Sequence, residues 1–138
     1  MPRRRKLHLL IIDQSALARN MYTLLFGYSE GYALQYAESI EKLNRLKTHE
    51  KPDVLILNSN AIARGASFQR GRVPTLLLCS ADRADLKEEY AAMKSLTVVP
   101  KPFYPYDLIL LVNQMAQIQR KKTKKVIQRQ GAQRRGKK

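Results

Sequence analysis

Four short apolar runs of this chain each end in polar side chains. Leu9-Leu10-Ile11-Ile12 leads into Asp13-Gln14, and Val54-Leu55-Ile56-Leu57 into Asn58. Thr75-Leu76-Leu77-Leu78 leads into Cys79-Ser80, and Leu96-Thr97-Val98-Val99 into Pro100-Lys101-Pro102-Phe103. In an open parallel sheet, strand carboxyl ends converge on one crevice, where such folds bind ligands. That crevice would hold one carboxylate, one ammonium group, amides, a thiol and a hydroxyl. A carboxylate at position 58 would make its centre charged and nucleophilic. The amide of Asn58 offers hydrogen bonds without charge. The chain has no Gly-rich phosphate loop, no paired catalytic acids and no nucleophile–base pattern, so no enzyme is expected. His8 and His49 suggest no metal or catalytic pair.

The elements that must position these groups follow from hydrophobic periodicity. Strands are expected near residues 7–12, 32–37, 53–58, 74–79 and 96–100. The first, third and fourth are almost continuously apolar, as central strands buried on both faces are. The second, Tyr32-Ala33-Leu34-Gln35-Tyr36-Ala37, is mixed and suits an edge. Asp53 reads as a strand-opening residue. Helical stripes lie between them: Leu17, Met21, Leu24 and Leu25; Ile40, Leu43 and Leu46 behind an N-cap at Ser39; and Leu86, Tyr90 and Met93 with Asp82 or Asp85 near the start. A last helix starts near Pro105 with Leu108, Leu111, Val112, Met115 and Ile118 inward. Alternating strands and helices give βαβ units and a doubly wound α/β sheet. Only residues 59 to 73 separate Asn58 from Pro74, so the third crossover should be shortened.

The chain has 138 residues, enough for one domain with a buried core. No run is long and apolar enough to span a membrane. The single Cys79 excludes an internal disulfide and suits a reducing cytoplasm. The net charge of +15 is unevenly placed. Residues 7 to 119 carry 12 Lys/Arg against all 11 Asp/Glu. Residues 1 to 6 form a short basic arm, and residues 120 to 138 hold ten cations and no acid. The expected organisation is therefore a basic arm (1–6), a domain (7–119) and a basic, frayed or disordered tail (120–138).

From about residue 6 to 119 the chain resembles the receiver domain of bacterial two-component response regulators. The residues that carry the likeness are Asp13-Gln14 after the first strand and Arg19 six residues on. The Pro-Asp opening of the third strand, Pro74 opening the fourth, and Lys101-Pro102-Phe103 after the fifth complete it. The resemblance implies a flavodoxin-like, CheY-like fold and a role in phosphorelay signal transduction. It also implies a pocket: two acids after the first strand holding Mg2+, an Asp accepting phosphate after the third, Thr or Ser after the fourth, and Lys after the fifth. Here the acid pair is Asp13-Gln14 and the acceptor position is Asn58. The hydroxyl position is Cys79, or Ser80 with a slip of one residue, and the lysine is Lys101. The aromatic switch position of many members falls on Val98.

A neutral amide is a very poor nucleophile for acyl-phosphate formation. Mg2+ prefers hard carboxylate oxygens, of which only Asp13 clearly remains. No cofactor is expected, Mg2+ included, with Asp13 the one weak candidate ligand. Asp13 and Lys101 balance one for one, so a direct ion pair is expected, with Asn58 and Gln14 hydrogen-bonding around it. Cys79 reads as a packing residue. Tyr104 and Tyr106 read as packing or as part of a binding face.

The expectation is an atypical receiver: a phosphorylation-independent signalling adaptor working by protein contact, with a homodimer open. The alternative is a nucleic-acid-associated module whose tail binds phosphate backbone through Arg120, Lys121, Lys122, Lys124, Lys125, Arg129, Arg134 and Arg135. The tail holds no aromatic residue for base stacking. Acidic protein or lipid partners, or no partner at all, stay open.

Overall fold

The computed structural model describes residues 6–39, 52–63, 73–90 and 95–117. Five parallel strands form one sheet in the order β2-β1-β3-β4-β5: β1 Leu7–Ile12, β2 Tyr32–Ala37, β3 Val54–Asn58, β4 Thr75–Cys79 and β5 Leu96–Pro100. This is the flavodoxin-like order, with its reversal of winding between β1 and β3. The strand expectations hold, with the third and fourth starting one residue later than read. Burial explains which strands are central. Every residue of β3 and β4 is buried, whereas β2 and β5 are only partly so. Asp53 does open β3: its carboxylate accepts from the His8 N–H at 2.8 Å while its own N–H donates to the His8 carbonyl at 2.8 Å.

Strand alternation divides the core into two layers. Leu9, Ile11, Val54, Ile56, Leu76 and Leu78 face one side, against helix α1 (Ala16–Tyr22) and the last helix, α3 (105–117). Leu10, Ile12, Leu55, Leu57, Leu77 and Cys79 face the other, against α2 (Ala84–Tyr90). Helices thus cover both faces, as a doubly wound sheet requires. Leu108, Val112 and Met115 of α3 are buried as expected.

Helix α1 departs from its expected packing. It begins at a Ser15 cap, whose side chain accepts from the Ala18 N–H at 3.2 Å. It continues into a wider π-type turn, Thr23–Gly27. Of the expected stripe, Met21 and Leu25 are partly buried against the core, whereas Leu17 is 80% and Leu24 69% exposed, and the fully buried residues are Tyr22 and Phe26. The aromatic pair took the inward face because the Tyr22 hydroxyl finds a buried partner there, described below. Ile40, Leu43, Leu46, Met93 and Ile118, the shortened third crossover, the basic arm (residue 6 apart) and the tail contacts Arg120 to Arg135 lie outside the described residues. Among the described residues, no helix is long and apolar enough to cross a membrane.

Candidate functional site

The strand ends do converge. Asp13 sits just past β1, with its residue fully buried. Its Oδ1 accepts from the Ser15 N–H at 2.9 Å and from Asn60 Nδ2 at 2.9 Å. Its Oδ2 accepts from the Tyr22 hydroxyl at 2.7 Å and from Asn58 Nδ2 at 2.8 Å. A carboxylate offers about four lone-pair positions, and four donors fill them. Burial pushes the Asp13 carboxyl up, but the bonds from Asn60, Ser15, Tyr22 and Asn58 together outweigh it and hold the group below the usual carboxylate range. The reciprocal effect falls on Tyr22. Burial first, then the bond to the Asp13 carboxylate, pushes its hydroxyl well above the ordinary tyrosine range, so it stays a donor.

Asn58, the last residue of β3, is the hinge of this network. Its Oδ1 accepts from Lys101 Nζ at 2.6 Å and from the Asn60 N–H at 3.1 Å. Its Nδ2 donates to Asp13. The partners determine the amide's orientation. Reversed, the NH2 group would face an ammonium group and an N–H, and the oxygen would face a carboxylate. Asn60 is fixed in the same way, donating to Asp13 and accepting from the Gln14 N–H at 3.1 Å. Its place follows from the short 3-10 turn Ser59–Ala61, which Asn58 caps.

The expected ion pair is not formed. Among the described residues Lys101 and Asp13 share no ion pair; the Asn58 amide stands between them and touches both. One bifunctional side chain satisfies both charges at once, so neither needs the other directly. Gln14 is corrected as well: its side chain is exposed, and only its backbone joins the network. Cys79 lies fully buried in the core layer beneath α2, with its thiol donating to the Ser80 and Arg83 carbonyls at 3.5 Å. Burial pushes that thiol up, against the opposing pull of Lys87 and Arg83. Ser80 instead pairs with Ser59, hydroxyl to hydroxyl at 3.1 Å, beside the Asn58 cluster.

Four contributors escaped the sequence reading: Tyr22, Ser59, Asn60 and Arg83. The Arg83 guanidinium is buried and caps two carbonyls of the loop after β3, Ser59 at 2.9 Å and Ile62 at 2.7 Å. Its remaining nitrogens fork onto Asp85. Asn-Ser-Asn directly after a buried run was the available signal, since buried amides need partners. The Tyr104 and Tyr106 side chains are exposed and are not packing residues.

The donor set does not suit a hard divalent cation. Such an ion needs several oxygens with free lone pairs. Asp13 is the one carboxylate in the cluster, its oxygens are taken, and Asn58 Oδ1 is taken by two donors. No group of three or more His, Cys, Asp and Glu placed to hold a metal ion occurs among the described residues.

No protein-family model matches the sequence, and no curated protein does either. Solved structures do match. The signal receiver domain of an HD domain-containing protein from Pseudomonas fluorescens superposes with a TM-score of 0.71 at 16% identity, over 85% of this chain and 99% of that one. A response regulator receiver modulated diguanylate cyclase from Pelobacter carbinolicus gives 0.66 at 22%, over 86% and 98%. The chemotaxis response regulator CheY4 of Vibrio cholerae gives 0.63 at 21%, over 80% and 99%. Sheet order, two-sided helix cover and these superpositions define the class: the fold is that of receiver domains. In this chain the strand-end pocket is closed by an asparagine that bridges lysine and aspartate.

Proposed function

We propose that this protein is an atypical receiver: a non-enzymatic signalling adaptor that works by protein contact and forms no acyl phosphate. The observation that carries this reading is the relay Lys101–Asn58–Asp13, with contacts of 2.6 and 2.8 Å. Phosphoryl capture needs an anionic oxygen facing an in-line donor. Position 58 offers an amide whose oxygen is engaged by Lys101 and Asn60. Saturation of Asp13 argues against Mg2+ in the same place. The receiver fold of the solved neighbours supports a place in two-component signalling, since those proteins are named as signal receivers and response regulators. The exposed Tyr104 and Tyr106 fit a protein-binding role for the start of α3.

Incubation with acetyl phosphate and Mg2+, read by intact mass, should leave the chain unmodified. An acid-labile phosphoryl adduct on a pocket residue would sink the reading. A pull-down with the wild-type chain and Asn58→Asp should recover the same signalling partner with the wild type, independent of acetyl phosphate.

A second reading rests on the ten cations of residues 120 to 138. The tail would then contact nucleic-acid phosphates. With about six cations engaged, log affinity for duplex DNA should fall with log salt at a slope near −5.

A further inference from the structure

Four donors meet the Asp13 carboxylate, and they differ in how easily each could give way to another partner. The Ser15 N–H belongs to the backbone at the cap of α1. The Tyr22 hydroxyl is wholly buried, and without Asp13 it would stand unpartnered in the core. The Asn58 amide is held from its other end by Lys101 Nζ. Asn60 differs: of the three side chains that reach the carboxylate, it alone is exposed, so its amide can turn to water. Its Nδ2 donates to Asp13 Oδ1 at 2.9 Å while its Oδ1 accepts from the Gln14 N–H at 3.1 Å. One side chain thereby ties the loop after β3 to the loop after β1 across the buried carboxylate.

We propose that Asn60 is the residue that keeps divalent cations off Asp13, its NH2 group holding the place at Oδ1 that an ion arriving from solvent would need. This rests on the reading of the pocket as closed, and adds what closes it. Loss of acids is the competing explanation. Gln14 and Asn58 stand where the receiver resemblance implies carboxylates, so missing charge alone could exclude a hard cation. The geometry makes the two causes separable. An acid restored at position 14 or 58 adds charge but leaves Asn60 in place, since its bonds go to Asp13 and to the Gln14 backbone. A hard cation binds an anionic oxygen directly and must first displace a donor already seated on it. The displaced bond is charge-assisted, so it should weaken ion binding by about tenfold or more.

Titration of the full chain with Mn2+, read as loss of the free-ion electron paramagnetic resonance signal, tests this with two pairs of variants. The first pair is Asn58→Asp and Asn58→Asp/Asn60→Ala. The second is Gln14→Glu and Gln14→Glu/Asn60→Ala, whose changes fall on exposed residues and leave the buried amide alone. Mn2+ held by acids elsewhere on the surface enters both members of a pair equally. In each pair that keeps a native circular dichroism spectrum, the variant without Asn60 should bind at least about tenfold tighter, and excess Mg2+ should displace the ion. Equal binding within a folded pair, no measurable binding included, overturns the proposal and leaves exclusion to the missing acids. So does tighter binding by the member that keeps Asn60. Wild-type binding at low-millimolar Mn2+ that Asp13→Asn abolishes would overturn the closed-pocket reading itself, which separates the two failures.

Discussion

Asn58 replaces a charge with an amide that can hold an anion and a cation in one geometry. Asn58→Ala should cost about 2–3 kcal/mol in urea denaturation, because it leaves Lys101 and one lone pair of buried Asp13 unpartnered. Tyr22→Phe should cost about 1.5–3 kcal/mol at neutral pH, the range for a hydrogen bond to a charged group. The pH dependence follows from the lowered Asp13 carboxyl. A group held below its unfolded value stabilises the fold fully above that value, about 3.9 for Asp, and the gain is lost as pH falls toward the folded value. The Tyr22→Phe penalty should therefore shrink in acid, measured as paired urea melts at neutral pH and near pH 3. Asp13, Asn58 and Lys101 were legible in the sequence because polar residues ending apolar runs must meet at one sheet edge. Tyr22 and Asn60 were not. Tyr22 sits in a helix whose leucines drew the inward assignment, and Asn60 reaches Asp13 through a 3-10 turn that periodicity does not announce.

Among the elements, the loop after β3 depends on a side chain from the start of α2. Arg83→Met would leave the buried Ser59 and Ile62 carbonyls without their donors and should cost about 2–4 kcal/mol, by equilibrium unfolding. Asp85→Asn should change stability little, since that carboxylate is exposed and its ion pair lies at the surface. The five strands and their central or edge character were readable, because burial on both faces forces unbroken apolar runs such as Leu55-Ile56-Leu57. The inward face of α1 was readable only in part: Met21 and Leu25 do pack against the core, but Tyr22 and Phe26 were not foreseen. Leu17 and Leu24 satisfy helical spacing as well as Tyr22 and Phe26 do, and hydropathy alone favours the leucines. The tyrosine won because the only buried carboxylate of the pocket needed its hydroxyl.

At the scale of the whole molecule, charge and apolar surface are separated. The cations crowd the two ends of the sequence, while the α1 face carries none. Removing residues 120 to 138 should abolish any salt-weakened DNA binding in a fluorescence anisotropy titration. Cys79 gives the molecule one more property. It is the sole sulfhydryl of the chain, fully buried at the end of the fourth strand. A maleimide added to the native protein can react only when the strand or the covering helix α2 comes loose, so the labelling half-time is a clock for how often the interior opens.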